Sequence, residues 1–118
     1  MCLRFKGETG SSYYSDIAID DISVTVSNSA LSESFDSFTT GNTACSSTST
    51  LSNDWSNSTS DYQDWVPYSG ATYTSYTGPS SDHSGSGKYL YMESSSCYNK
   101  TADVYSPSFK IAGSSSTL

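Results

Sequence analysis

This sequence contains few basic residues, a single histidine and no long apolar run. Its 118 residues include 5 Lys and Arg against 12 Asp and Glu, for a formal net charge of −7. So few cations argue against nucleic acid as a partner, because phosphates would remain unneutralised. No apolar stretch approaches the roughly 18 residues of a membrane-spanning helix, so we expect no membrane insertion by this chain. An acidic surface instead suits cation binding or a secreted protein kept soluble by charge.

Hydrophobic residues are also scarce, at 34% of the chain, whereas aromatic residues reach 14% and include 10 tyrosines. Aromatic side chains must therefore supply much of the core of a chain whose length suits one domain. The clearest strand has Tyr89 and Tyr91 on one face and Leu90 and Met92 on the other. No segment of useful length has the 3.6-residue period of a helix. The pattern predicts an all-β chain of short strands, and hence an antiparallel β-sandwich.

The most strongly patterned stretch runs from Ser15 to Val26. Its apolar residues alternate with polar ones, but the phase changes between Ile19 and Ile22. Inserting one residue into a strand moves later side chains to the other face, so the change predicts a β-bulge at Asp20-Asp21. Such a bulge can turn one carboxylate inward, towards a cation. The alternative is a half-buried strand with two solvated aspartates.

The cysteines are odd in number, so at most one pair can form within the chain. We favour a disulfide between Cys45 and Cys97, because both lie in Ser/Thr-rich loops typical of extracellular β-domains. Two free loop cysteines are the alternative, and Cys2 is left over. None of the three has a CxxC neighbour or a nearby histidine, so zinc binding and thiol catalysis are poorly supported.

Two groups of motifs together resemble the MAM domain family. Ser15–Val24 is similar to the strand that closes a MAM module. The motifs similar to the opening half of such a module follow in family order: Phe35-Asp36, Trp55, Asp61–Trp65, Thr77–Pro79 with Asp82-His83, Tyr89–Ser94 and Ser106-Pro107. The resemblance covers nearly the whole chain and implies a jelly-roll-like β-sandwich.

The closing strand precedes the opening half in this chain. We therefore expect residues 1–27 to be the closing hairpin of one MAM-like module and residues 28–113 to be the opening half of a second. Residues 114–118 would be a frayed tail. The sequence would then be a fragment of a larger secreted or surface protein, with its export signal elsewhere. Alternatively, a hairpin of residues 2–26 docks onto the opening half, giving an incomplete, circularly permuted sandwich.

The resemblance also implies a structural cation near the strand ends. Calcium and other hard cations bind several oxygen ligands from carboxylates and backbone carbonyls. The predicted ligands are Asp20, Asp21, Asp36, Asp61, Asp82 and Glu93. The same acids could equally be solvated loop residues or turn caps. Family modules often carry a cysteine where this chain has Ser32-Glu33-Ser34, so the family's disulfide pairing cannot be transferred.

No combination of residues in the sequence indicates catalysis. The only histidine, His83, lacks a nucleophilic serine or cysteine motif, so we expect no enzyme. The resemblance implies a non-catalytic extracellular module for adhesion or recognition of a protein or glycan partner. The alternative is a carbohydrate-binding accessory module of a secreted hydrolase or protease. In that case Tyr73, Tyr76 and Tyr98 would stack on sugar rings, unless they cover the small core. The sequence indicates no oligomeric state.

Overall fold

A computed structural model describes residues 1–26, 29–45 and 48–110 of the chain. Regular secondary structure in these ranges consists of β-strands, without a helix. The strands are β1 (Arg4–Glu8), β2 (Ile17–Ile19), β3 (Ile22–Val26), β4 (Ser29–Glu33), β5 (Ser56–Asn57), β6 (Val66–Tyr68), β7 (Tyr89–Met92) and β8 (Thr101–Tyr105). The predicted all-β fold is therefore confirmed.

The strands pair in three antiparallel sheets. One sheet has the order β1-β8-β5 and another has the order β2-β7-β6, while β3 and β4 form a two-stranded third sheet. In the first sheet Phe5 lies opposite Val104, and in the second Ile17 lies opposite Met92. The N-terminal strands β1 and β2 thus pair with strands from the C-terminal half of the chain. Each three-stranded sheet therefore contains one strand from the beginning of the sequence, β1 in the first sheet and β2 in the second.

The main hydrophobic core receives side chains from both three-stranded sheets, as in a β-sandwich. Leu90 and Met92 of β7 meet Ala102 and Val104 of β8 there, and all four are fully buried. Loop aromatics fill the remaining space, since the chain has few aliphatic residues. The buried members of this core are Phe35, Phe38, Trp55, Trp65, Leu90, Met92, Ala102 and Val104.

Gly7 of β1 lies close to side chains on the other side of the core. It pairs with Ala102 of β8, and it is buried. A Cβ atom at this position would lie 2.5 Å from Met92 Sδ and 2.8 Å from the Trp65 ring. Because carbon atoms pack at about 3.5–4.0 Å, no larger residue fits without moving the core. The absence of a side chain at this position therefore lets β1 lie close to Met92 and Trp65.

The structure corrects two predictions for the N-terminal segment. Residues 2–26 do not form a hairpin, because β1 pairs with β8 and β2 pairs with β7 in a different sheet. The predicted bulge at Asp20-Asp21 is also wrong, because the chain changes sheets at this point. Ile17–Ile19 belongs to the second sheet and Ile22–Val26 to the third, and Asp21 between them has a φ of +47°. The change of phase marks a junction between two strands.

A second, smaller cluster of aromatic residues covers the outer face of the β2-β7-β6 sheet. Tyr89 and Tyr91 of β7 are buried there with Val66, and Tyr68 packs against them. The predicted division of β7 into a tyrosine face and a Leu/Met face is therefore confirmed. Burial raises the pKa of Tyr89 to about 12. Burial also raises the pKa of Tyr91, whose hydroxyl group hydrogen-bonds to carboxylates.

The division into two modules at residues 27 and 28 stays a prediction. The structure adds that β1 and β2 pair with β8 and β7, so the early segment lies against the later one, but as two separate strands and not as the hairpin of the permuted alternative. The tail at residues 114–118 lies outside the described residues.

Candidate functional site

Four of the six predicted cation ligands lie around the loop of residues 82–88. At the junction of β2 and β3, Asp20 Oδ2 accepts a hydrogen bond of 2.7 Å from the backbone N–H of His83. Asp21 Oδ2 lies 2.6 Å from Nδ1 of the His83 ring. The positive φ of Asp21 places the two adjacent carboxylates on the same loop. Sequence reasoning anticipated this junction as an acidic site, although not its connection to His83.

Asp82 is the most buried acid of this group, at 8% exposure. Its Oδ2 accepts hydrogen bonds from the Ser84 N–H and hydroxyl, and its Oδ1 accepts one of 2.7 Å from the Gly87 N–H. The Ser84 hydroxyl, followed by the backbone N–H groups, holds the pKa of Asp82 below its ordinary value. Hydrogen bonds to the charged form stabilise it, so this carboxylate stays an anion in the folded chain.

Asp36 approaches the same loop from the segment after β4. Its Oδ1 accepts a hydrogen bond of 2.8 Å from the Lys88 N–H, and the Lys88 ammonium donates one of 2.8 Å to the Asp36 backbone carbonyl. A Cβ atom added to Gly87 would overlap Asp36 Oδ1 and lie 2.8 Å from Asp82 Oδ2. The two carboxylates therefore converge on Gly87, and only a glycine leaves the space between them open.

The other two predicted ligands lie elsewhere. Asp61 Oδ2 accepts a hydrogen bond from the Asp103 N–H of β8. Glu93 is buried, and it accepts hydrogen bonds from the Tyr91 hydroxyl at 2.6 Å and from the Ser95 N–H at 2.7 Å. Among the residues that the structure describes, no three His, Cys, Asp or Glu side chains form a group that could hold a metal ion. The six acids are thus not one cluster, and the convergent pair is Asp36 with Asp82.

Sequence reasoning missed the acid with the most contacts, Asp16. Its Oδ1 accepts hydrogen bonds from the Ser94 N–H and hydroxyl at 2.8 and 2.7 Å. Its Oδ2 accepts bonds from the Tyr91 hydroxyl at 3.0 Å and the Thr77 hydroxyl at 2.5 Å. This one carboxylate ties the N-terminal segment to the second half of the chain. No local signal distinguishes it, because a solvated aspartate at the start of a strand has the same sequence context.

The favoured disulfide is present in the structure. Cys45 and Cys97 are joined, with Cα atoms 5.4 Å apart, while Cys2 is a free and exposed thiol. The bond anchors the long loop before β5 to the turn after β7. Thr9 contacts this turn from the other side, donating its hydroxyl to the Cys97 carbonyl. The disulfide is thus part of the junction between the early and late segments of the chain.

The three tyrosines proposed to stack on sugars are all exposed. Tyr76 is 101% exposed, Tyr73 is 83% and Tyr98 is 42%. The alternative that they cover the core is therefore excluded for Tyr73 and Tyr76. Two further tyrosines form an exposed pair, since the rings of Tyr13 and Tyr14 lie 4.2 Å apart.

The geometry around His83 does not resemble a catalytic centre. Within residues 1–26, 29–45 and 48–110, its imidazole hydrogen-bonds to Asp21 and to no serine or cysteine. A hydrolase of the serine or cysteine type needs a nucleophile within hydrogen-bond reach of the histidine. The described part of the chain also contains no helix long and apolar enough to cross a membrane.

Comparison with known protein families gives a match over most of the chain. The family model described as "MAM domain, meprin/A5/mu" matches residues 37–116, about two thirds of the chain. The match begins after β4 and includes β5 to β8, the disulfide and the 82–88 loop. No solved structure matches this chain.

Proposed function

This chain belongs to the MAM domain family, and on that premise we propose that it is a non-catalytic adhesion and recognition module of a multi-domain secreted or cell-surface protein. MAM domains are generally extracellular modules of the adhesion type. The family match over residues 37–116 is the observation that carries the proposal. Its partner would be a protein or glycan outside the cell.

Two properties of the chain support an extracellular location. The disulfide between Cys45 and Cys97 needs an oxidising compartment to persist. The net charge of −7 keeps a domain with many exposed tyrosines soluble outside the cell. Neither property names a partner.

Adhesion of coated beads tests the proposal. Beads that carry the oxidised chain should be retained on extracellular matrix or cell surfaces from the source organism. The matched control is the Cys45→Ser, Cys97→Ser double variant, which lacks the disulfide but keeps the surface residues. Retention of coated beads no better than that of beads coated with an unrelated acidic protein would contradict the proposal.

We also propose that Asp36 and Asp82 hold a structural Ca²⁺ or another hard cation. The support is their convergence on Gly87, the anionic state of Asp82 and the adjoining cavity of about 370 Å³ lined partly by serines. Two carboxylates supply only part of the 6–8 oxygen ligands that Ca²⁺ takes, so backbone carbonyls and water would complete the shell. Asp20 and Asp21 lie next to the same loop and remain candidates.

A thermal melt with Ca²⁺ or with EDTA tests this cation site. We expect a higher melting temperature with Ca²⁺, because an ion that binds only the folded chain stabilises it. The Asp82→Asn variant should lose this difference, whereas Asp61→Asn, which lies away from Gly87, should keep it. Equal melting temperatures of the parent chain in Ca²⁺ and in EDTA would contradict the proposed cation site.

A second candidate function is carbohydrate binding through the exposed tyrosines. The observation that favours it is the exposure of Tyr73 and Tyr76, because aromatic rings without a packing role are available for stacking. A glycan array should then show retention that the Tyr73→Ala and Tyr76→Ala variants lose. Binding that is unchanged in both variants would exclude these tyrosines.

A further inference from the structure

A groove of about 440 Å³ lies beside β5, away from the acidic loop and from the exposed tyrosines Tyr73 and Tyr76. It is lined by residues 48–51 on one side and residues 55–59 on the other, and Asp61, Tyr62 and Asp64 complete it. We propose that this groove binds a neutral saccharide of one or two sugar units. Its volume is in the range of sites for small organic ligands.

The two walls of the groove are held together by the side-chain amide of Asn57. Its nitrogen donates hydrogen bonds to the carbonyl groups of Ser49, at 3.2 Å, and Trp65, at 2.9 Å. Its oxygen accepts a bond of 3.0 Å from the Trp65 N–H. Trp65 is itself fixed in the core, where its ring N–H donates to the Ala102 carbonyl. The groove is therefore pre-formed, which lowers the entropic cost of binding a ligand.

Asp61 and Asp64 line the groove, and each has one carboxylate oxygen without a hydrogen-bond partner among the described residues. Asp64 Oδ2 accepts the Ser49 N–H at 2.6 Å, and Asp61 Oδ2 accepts the Asp103 N–H. The second oxygen of each, Oδ1, accepts no hydrogen bond from the residues that the structure describes. Burial, together with the nearby charge of Asp61, raises the pKa of Asp64. A ligand that donates hydrogen bonds to these oxygens would compensate for this burial.

The remaining lining suits a ligand rich in hydroxyl groups. It includes the hydroxyl-bearing residues Thr48, Ser49, Thr50, Ser56, Ser58 and Thr59. Such groups both donate and accept, as sugar hydroxyls do, whereas an ammonium ligand only donates. Leu51, which is only partly buried, adds an apolar contact to this lining.

Other ligand classes fit this groove less well. An anion would be repelled by Asp61 and Asp64 in a chain of net charge −7. A bare metal ion lacks a third acidic or histidine ligand within the described residues. The proposal does not depend on the adhesion role, since a module can recognise a protein on one surface and a sugar on another.

Titration of the ¹⁵N-labelled, oxidised chain with glucose, galactose, N-acetylglucosamine and cellobiose tests the proposal by NMR. We expect at least one of these sugars to shift the amide signals of Ser49, Asn57 and Asp64, and not those of Tyr73 and Tyr76. Asp64→Asn and Asp61→Asn should each weaken this binding by about tenfold or more, because a donor replaces the available acceptor oxygen. Each asparagine can keep the existing bond to the backbone N–H, so both variants should fold.

Two kinds of control make the result decisive. Asp54→Asn removes an exposed carboxylate that does not line the groove, so sugar affinity should not change. Thr59→Val removes a groove hydroxyl that has no hydrogen-bond partner among the described residues, and it should weaken binding. The proposal is overturned if none of the four sugars shifts these amides. Binding that is equal in Asp64→Asn and the parent, or stronger shifts of the same amides by CaCl₂ or methylammonium, would also overturn it. A negative sugar titration leaves the bead adhesion assay unaffected, so the two proposals fail separately.

Discussion

Replacing Asp16 by alanine should release the N-terminal segment from the rest of the sandwich. Asp16 immediately precedes β2, and its carboxylate binds Ser94, Tyr91 and Thr77, which are 61 to 78 positions away in sequence. Alanine removes the acceptor that these four donor groups share and leaves the backbone of β2 unchanged. The loss should therefore fall on the contact between β2 and the β7 region.

The size of the effect depends on which of the donor groups still have another hydrogen-bond acceptor when Asp16 is replaced. The Tyr91 hydroxyl retains Glu93 as an acceptor, and the Ser94 hydroxyl retains the Tyr13 carbonyl. The Ser94 N–H is fully buried and loses the one acceptor it has among the described residues. An unsatisfied buried donor costs about 1–3 kcal/mol. The lost bonds to the charged carboxylate increase this cost, but by less than the sum of their separate values. We expect the free energy of unfolding to fall by about 3 kcal/mol, or roughly 10 °C in melting temperature.

Differential scanning calorimetry of the oxidised chain measures this change. Glu8→Ala is the matched control, because Glu8 is an exposed acid of β1 whose side chain forms no hydrogen bond with residues 1–26, 29–45 or 48–110. Hydrogen exchange of the β2 and β7 amides should accelerate in the Asp16 variant and not in the control. A melting temperature of Asp16→Ala within about 2 °C of the parent would refute the reasoning, since it corresponds to less than about 1 kcal/mol.

Three further predictions concern packing and ionisation. Gly7→Ala should destabilise the chain by about 1–3 kcal/mol in chemical denaturation, because the added methyl group overpacks the core against Trp65. An unchanged denaturation midpoint would contradict the expected overpacking at Gly7. Burial raises the pKa of Tyr89 from 10.0 to about 12, so its stabilising contribution is complete below pH 10 and is lost as the pH rises towards 12. Circular dichroism at alkaline pH should show this loss, and Tyr89→Phe should reduce it. Ser84→Ala should raise the pKa of Asp82 towards 3.8 in a carboxyl NMR titration, whereas an unchanged pKa would show that the hydroxyl is not its main cause.

The strand alternation of Tyr89–Met92 could be predicted because it is a local property. Successive side chains of a strand point to opposite faces, so the sequence alone separated the tyrosines from Leu90 and Met92. The change of phase between Ile19 and Ile22 was also a correct local observation. Its interpretation as a bulge was wrong, because a bulge and a junction between two sheets produce the same parity change. Pairing partners decide between them, and pairing is not local.

In the candidate site, too, the sequence predicted some features and only the fold decided others. Asp36 and Asp82 were predicted as cation ligands, and the structure brings their carboxylates together over Gly87. Asp61 and Glu93 were predicted as further ligands of the same site, but they accept hydrogen bonds elsewhere in the fold. Nothing in the residues beside these four acids separates the two pairs. The difference arises from the loop of residues 82–88 folding onto the segment that follows β4.

The sequence by itself determined the class of this protein. Its alternating apolar residues, its acidic and aromatic composition and its MAM motifs predicted an acidic all-β module, and these are properties of single strands and of short segments. Only the tertiary structure decided that β1 and β2 join different sheets, that Asp16 ties the early segment to Ser94, and that a hydroxyl-lined groove forms beside β5. These features depend on which distant strands pair. Hydrogen bonds and packing between distant strands contribute free energy only after the chain has folded, so a local sequence pattern cannot predict these contacts.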